Sequence, residues 1–112
     1  MSVSEAASRT NMASRVVFSP TASRDLNEIV LSIAEDNPPA ALRIYDKIHR
    51  RCLNLADMPE AGIRAGRGVR RLVVEPYLIF YRVRSGKAHS SRNIEIMRVI
   101  HGARQIPKDL SG

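Results

Sequence analysis

Val69-Arg70-Arg71-Leu72-Val73-Val74, Glu75-Pro76-Tyr77 and Leu78-Ile79-Phe80-Tyr81-Arg82-Val83-Arg84 form the continuous stretch on which the fold turns. Its two flanks are rich in β-branched and aromatic residues, and the proline-bearing middle breaks them apart, so the stretch reads as a β-hairpin. Downstream, Ser85 to Asn93 is polar and contains Gly86, a loop signature. Ile94-Glu95-Ile96-Met97-Arg98-Val99-Ile100 then forms a last strand, ended by His101-Gly102. Links this short suit antiparallel neighbours, so the three runs are expected to form a meander. Arg70, Arg82, Arg84 and Arg98 interrupt the strands at positions that must reach solvent or a partner. The sheet face turned away from any covering layer is therefore expected to be polar and cationic.

Upstream the hydrophobic period changes from two to that of a helix. Ala41, Ile44, Tyr45, Ile48, Cys52 and Leu55 recur at three- and four-residue steps and mark one buried stripe. Cys52 on that stripe behaves as a small apolar group, and His49, Arg50 and Arg51 fall off it on a solvated face. Ala22, Leu26, Ile29, Val30, Ile33 and Ala34 mark the stripe of an earlier helix. Ser19-Pro20 opens that helix with a side-chain cap and a proline at its first position. Asn37-Pro38-Pro39 separates the two helices, with Pro39 able to open the second. Before them, Val16-Val17-Phe18 is a short strand. Met58-Pro59 stops the second helix, and the segment with Gly62, Gly66 and Gly68 reads as a mobile loop carrying Arg64 and Arg67. The element order is β-α-α-β-β-β, an α+β domain with a helical hairpin packed on a small antiparallel sheet. Residues 1–15 are expected to form a flexible leader, and 16–110 a single domain.

A chain of 112 residues with a formal charge of +7 can bury one small core, which leaves surfaces as the place for function. Between Met1 and Glu60 there are seven basic and eight acidic residues, whereas Ala61 to Arg104 holds ten basic residues against Glu75 and Glu95. Fifteen of the eighteen basic side chains are arginine, which makes planar two-point contacts with carboxylates and phosphates. An acidic protein or a nucleic acid is the implied partner, and solubilising charge is the plainer explanation. Cys52 has no cysteine to pair with, and the three histidines are scattered, so no metal or other cofactor is expected. The longest apolar run, Leu78 to Tyr81, is far too short to span a membrane, and a reducing cytoplasm is the simplest home.

The chain resembles the ParE toxins of the ParE/RelE superfamily, the toxic halves of type II toxin–antitoxin systems. The residues that carry the likeness are Val17-Phe18-Ser19-Pro20, Ile33-Ala34-Glu35-Asp36-Asn37-Pro38, Leu55-Ala56-Asp57-Met58-Pro59, Val69-Arg70-Arg71-Leu72, Tyr77-Leu78-Ile79-Phe80-Tyr81-Arg82-Val83, and Val99-Ile100-His101-Gly102-Ala103-Arg104. They occur in order from Val16 to Arg104, and the closing His-Gly-Ala-Arg points to ParE. The resemblance implies a curved antiparallel sheet under a helical hairpin and a ParD-like antitoxin that silences the toxin in a hetero-oligomer. It also implies a role in plasmid stabilisation and poisoning of DNA gyrase; the RelE-like alternative is ribosome-dependent mRNA cleavage.

Cleaving RNA needs several cations and an acid–base group converging on one phosphate. RelE-like ribonucleases place an arginine after the tyrosine that opens the third strand, where this chain has Leu78. They also place a tyrosine or similar group after the last strand, where this chain has Gln105 to Leu110. Arg71, His101 and Arg104 are the set a ribonuclease would use, and with no turnover chemistry none is catalytic. The residues expected to bind antitoxin or target are Arg64, Arg67, Arg70, Arg71, Arg82, Arg98, His101 and Arg104. Tyr77 and Tyr81 are expected to pack with their hydroxyls at the rim. A basic nucleic-acid-binding module is a further alternative, although neither helix carries a basic recognition face and aromatic residues make up only 4 %.

Overall fold

The computed structural model of the protein describes residues 14–85 and 92–102. The elements run β1 (Ser14–Phe18), α1 (Pro20–Ala34), α2 (Pro38–Leu53), a single 3-10 turn (Asn54–Ala56), β2 (Ile63–Gly66), β3 (Val69–Val74), β4 (Tyr77–Ser85) and β5 (Arg92–His101). Ser19 caps α1 by accepting from the Ala22 N–H at 3.0 Å, with Pro20 next to it. Asn37 does the same for α2 through the Ala40 N–H at 3.1 Å, and α2 opens at Pro38, one residue before the expected start. Each cap satisfies an N–H that the first turn leaves without a helical partner, and each proline sits where its lack of an N–H costs nothing.

The sheet has five strands in the order β1-β5-β4-β3-β2. The hairpin and the last strand pair antiparallel as read from the sequence, with Leu72 opposite Ile79 and Ile79 opposite Val99. Two expectations need correction. The sheet is mixed, because β1 runs parallel to β5, Val16 aligned with Ile94. The two helices between β1 and the rest supply the long crossover that a parallel neighbour requires. The segment read as a mobile basic loop instead forms the edge strand β2, with Ile63 opposite Arg71 and Arg64 opposite Arg70. The strand β1 also starts at Ser14, two residues inside the expected leader; the rest of that leader lies outside the described residues.

The main core lies between helices and sheet. Leu26, Ile48, Cys52 and Leu55 meet Leu72, Val74, Ile79, Tyr81, Ile94, Ile96 and Val99 there. Burial of the Cys52 thiol pushes its pKa up to about 12, against a weaker opposing pull from Arg51, so the thiol stays neutral at ordinary pH. Its place on the core stripe is as expected. Gly62 is required where the chain leaves the 3-10 turn, since an added Cβ would lie 2.7 Å from the Arg71 carbonyl oxygen and 2.8 Å from the Tyr81 ring. Gly68, with φ of 68°, turns β2 into β3.

A candidate arginine-bearing interface on the sheet

Strand alternation sorts the candidate side chains onto two faces. On β4, Tyr77, Ile79, Tyr81 and Val83 belong to the core under the helices, so Leu78, Phe80, Arg82 and Arg84 occupy the outer face. Register then places Arg71 of β3 beside Phe80, and Glu95 of β5 beside Arg82. This face was expected to be polar and cationic. It is cationic around a second apolar cluster: Val69, Phe80 and Ile100 are 4 %, 1 % and 6 % exposed, with Ala65, Leu78 and Met97 packed against them. The unbroken run Ile79-Phe80-Tyr81 is the sequence signal of a strand buried on both faces.

Arg71 and Arg82 flank that cluster. The Arg71 Nε is buried and finds no hydrogen-bond acceptor among the described residues. An unmade hydrogen bond to a buried charged group is costly, and the same burial closes this nitrogen to solvent. Arg84 Nη2 lies 3.3 Å from Glu95 Oε1, a solvent-exposed pair that also sits beside Arg82. Arg67 stands exposed in the turn between β2 and β3, and Arg64 is exposed on β2 itself.

Two of the expected interface arginines serve the fold. Arg70 Nη1 donates to the Gly62 carbonyl at 2.7 Å. Beside it, Tyr81 Oη donates to the Pro59 carbonyl at 2.7 Å and accepts from the Gly62 N–H at 2.8 Å. Tyr81 was expected at the rim, yet its side chain is wholly buried, and burial pushes its phenol pKa upward. Arg70 and Tyr81 together pin the connection from α2 to β2. Arg98 was expected to reach solvent or a partner; it turns instead to α1, donating from Nε and Nη2 to the Asp25 carboxylate at 2.8 and 3.2 Å. The Val99 N–H donates to the same carboxylate at 2.9 Å. The cause is a bulge: Phe80 pairs with Arg98 and Tyr81 with Ile96, which leaves Met97 as an extra residue and re-aims Arg98.

His101 ends β5 and meets the Tyr77 ring edge-on at a centroid distance of 5.4 Å. Both line a cleft of about 320 Å³ with Asp25, Glu28, Ser32 and Arg98. His101 pairs with Tyr77, whose side chain faces the helices, while Arg71 pairs with the outward-facing Phe80. Arg71 and His101 thus leave the sheet from opposite faces, at positions about 10 Å apart along β4. Arg104, like residues 86–91, lies outside the described residues. Sequence reading missed Asp25 because it is 73 residues from its partner Arg98. The described residues contain no group of three or more His, Cys, Asp or Glu able to hold a metal ion, and no helix long and apolar enough to cross a membrane.

Comparison with known proteins agrees with this geometry. The family described as "ParE toxin of type II toxin-antitoxin system, parDE" matches residues 16–106. A protein of Sinorhizobium fredii (strain NBRC 101917 / NGR234) named "Putative toxin Y4kP" is 37 % identical over 100 residues, covering 86 % of this chain and 96 % of that protein. Among solved structures, a chain of the "Chromosomal ParDE TA system from P. aeruginosa" superposes with a TM-score of 0.63 at 26 % identity, covering 81 % of this chain and 97 % of that one. With the family matched over most of its length and the α+β architecture shared, the chain belongs to the ParE toxin family of type II toxin–antitoxin systems.

Proposed function

We propose that this ParE-family toxin acts by gripping another macromolecule in the cytoplasm, without turnover chemistry. A ParD-like antitoxin neutralises it in a hetero-oligomer, and DNA gyrase is its target. The antitoxin assignment draws support from the similarity to a chain of a ParDE system. The observation that carries the non-catalytic reading is the separation of Arg71 from His101 on opposite faces of the sheet, because phosphodiester cleavage needs cation and acid–base group at one phosphate. Arg71 and Arg82 around the Phe80 cluster form the binding face: arginine forks receive carboxylates while the apolar residues supply contact area. Arg64 and Arg67 extend that cationic surface along the β2–β3 hairpin.

Expression of the chain alone, with DNA-damage signalling and translation followed side by side, tests the target. Damage signalling with translation intact, and inhibited supercoiling by purified gyrase, is the expected outcome. Cleavage of transcripts on ribosomes that disappears in His101→Ala would establish the ribonuclease alternative and defeat the proposal. For the binding face, Arg71→Glu or Arg82→Glu should weaken antitoxin binding by about 2 to 5 kcal/mol, the usual cost of breaking a desolvated charged pair. Calorimetric titration giving wild-type affinity for both variants would remove the sheet face from the antitoxin interface.

A further inference from the structure

The cleft between α1 and the Tyr77 end of the sheet holds polar groups that neither the core nor the arginine face uses. It measures about 320 Å³, and a second hollow of about 380 Å³ beside the β3–β4 turn shares Tyr77 and His101 with it. Tyr77 is 7 % exposed, its ring belongs to the core, and His101 meets it edge-on. Its hydroxyl nevertheless makes no hydrogen bond with any described residue. A buried phenol ordinarily finds a partner for that group, so an unpaired one lining a cleft points to a partner from outside.

Helix α1 supplies the charge opposite it. Asp25, Glu28 and Ser32 follow at steps of three and four, which places all three on the wall of the cleft. Both Asp25 oxygens already accept from Arg98, one of them also from the Val99 N–H, so the charges of Asp25 and Arg98 offset each other. Glu28 is exposed and forms no ion pair among the described residues. With His101 neutral, the cleft is therefore locally negative in a chain of formal charge +7. Half-buried Ile29 and Ile33 give the same wall an apolar side.

We propose that this cleft is a binding site for an alkyl cation, a primary ammonium or guanidinium on an aliphatic stem. The head donates to the Glu28 carboxylate and to the Tyr77 hydroxyl oxygen, and the stem lies along Ile29 and Ile33. An anion is disfavoured there, because Glu28 repels it and the Arg98 fork is engaged by Asp25. The cleft thus opposes in sign the arginine face on the other side of the sheet.

The test titrates the isotope-labelled full chain and follows backbone amide shifts by NMR. The charged probes are putrescine, N-acetyl-lysine methylamide and N-acetyl-arginine methylamide; N-acetyl-norleucine methylamide is the uncharged counterpart. Saturable shifts at Ser32, Val99 and Gly102 are expected with the charged probes and none with norleucine. Glu28→Gln should weaken binding on the order of tenfold, and Tyr77→Phe about threefold or more. Both should melt like the wild type, since Glu28 is exposed and the Tyr77 hydroxyl has no hydrogen bond among the described residues to lose. Glu35→Gln, an exposed carboxylate at the end of α1 and outside the cleft, should change nothing. No saturable shift with any charged probe, equal binding of the norleucine probe, or wild-type affinity in Glu28→Gln each overturns the proposal. Tighter binding of putrescine assigns the cleft to a free polyamine, and tighter binding of the blocked amino acids assigns it to a side chain of another protein.

Discussion

Replacing Tyr81 with phenylalanine removes one oxygen atom and should cost far more than its size suggests. The ring stays in the core between Ile79 and Val83, so the apolar contribution hardly changes. What disappears is the hydroxyl that accepts from the Gly62 N–H and donates to the Pro59 carbonyl. Gly62 is buried, so its orphaned N–H costs about 1 to 3 kcal/mol, and the part-buried Pro59 carbonyl loses a hydrogen bond worth about 1 kcal/mol, which together predict a loss of about 2 to 4 kcal/mol. For a domain of this size that lowers the melting temperature by roughly 10 to 25 °C. Urea titration followed by circular dichroism reads the free energy directly, and a calorimetric scan reads the temperature. Because Arg70 holds the Gly62 carbonyl on the same connection, Tyr81→Phe combined with Arg70→Met should be non-additive. A loss below about 0.5 kcal/mol in Tyr81→Phe would refute the idea that this hydroxyl closes the α2–β2 connection.

Three further outcomes are expected. Asp25→Ala removes the acceptor of the Val99 N–H and one partner of Arg98, and should destabilise the domain by about 2 kcal/mol, most of it from the orphaned N–H because Arg98 is partly solvated; an unchanged urea midpoint would contradict it. Cys52 has a pKa near 12 when folded and 9.0 as the reference, so its neutral-thiol contribution is complete below about pH 9 and drains away as pH rises towards 12, at up to about 1.4 kcal/mol per pH unit. Tyr81, whose pKa is raised by burial from a reference of 10.0, acts in the same direction from about pH 10 upward, so Cys52→Ala should flatten the alkaline limb of stability without abolishing it; identical limbs in both proteins would exclude the thiol. Gly62→Ala should destabilise by more than about 2 kcal/mol, because the added methyl meets backbone and a buried ring; a melting curve matching wild type would show that the connection gives way freely.

Much of the fold is local enough to read from the chain itself. The helix starts follow from Ser19-Pro20 and Asn37-Pro38, the core stripes from three- and four-residue spacing, and the β3–β4 hairpin from two strand-like runs around Glu75-Pro76. The edge strand β2 escaped because four residues containing Arg64 and Gly66 carry no alternation of their own; they are strand only because Arg70 and Arg71 pair with them. The parallel β1–β5 contact escaped for a related reason, since partners nearly eighty residues apart leave no periodic trace. At the candidate site, residue type was legible and direction was not. A bulge at Met97 turns Arg98 towards Asp25, and the face that a strand presents decides that Arg71 and His101 point apart.

The place of β5 within the sheet carries a consequence for how the toxin comes into being. The first strand to leave the ribosome has β5 as its sheet neighbour, and Arg92–His101 are made after every other described element. Synthesis can assemble the helical hairpin and the β2–β4 meander early, but β1 must wait unpaired for translation to pass residue 101. A product released short of that point lacks the strand that joins β1 to β4, and leaves both without a neighbour there. Maturation is therefore tied to completion of the message, and fragments from aborted translation lack β5 and with it Met97 and Ile100 of the outer-face cluster.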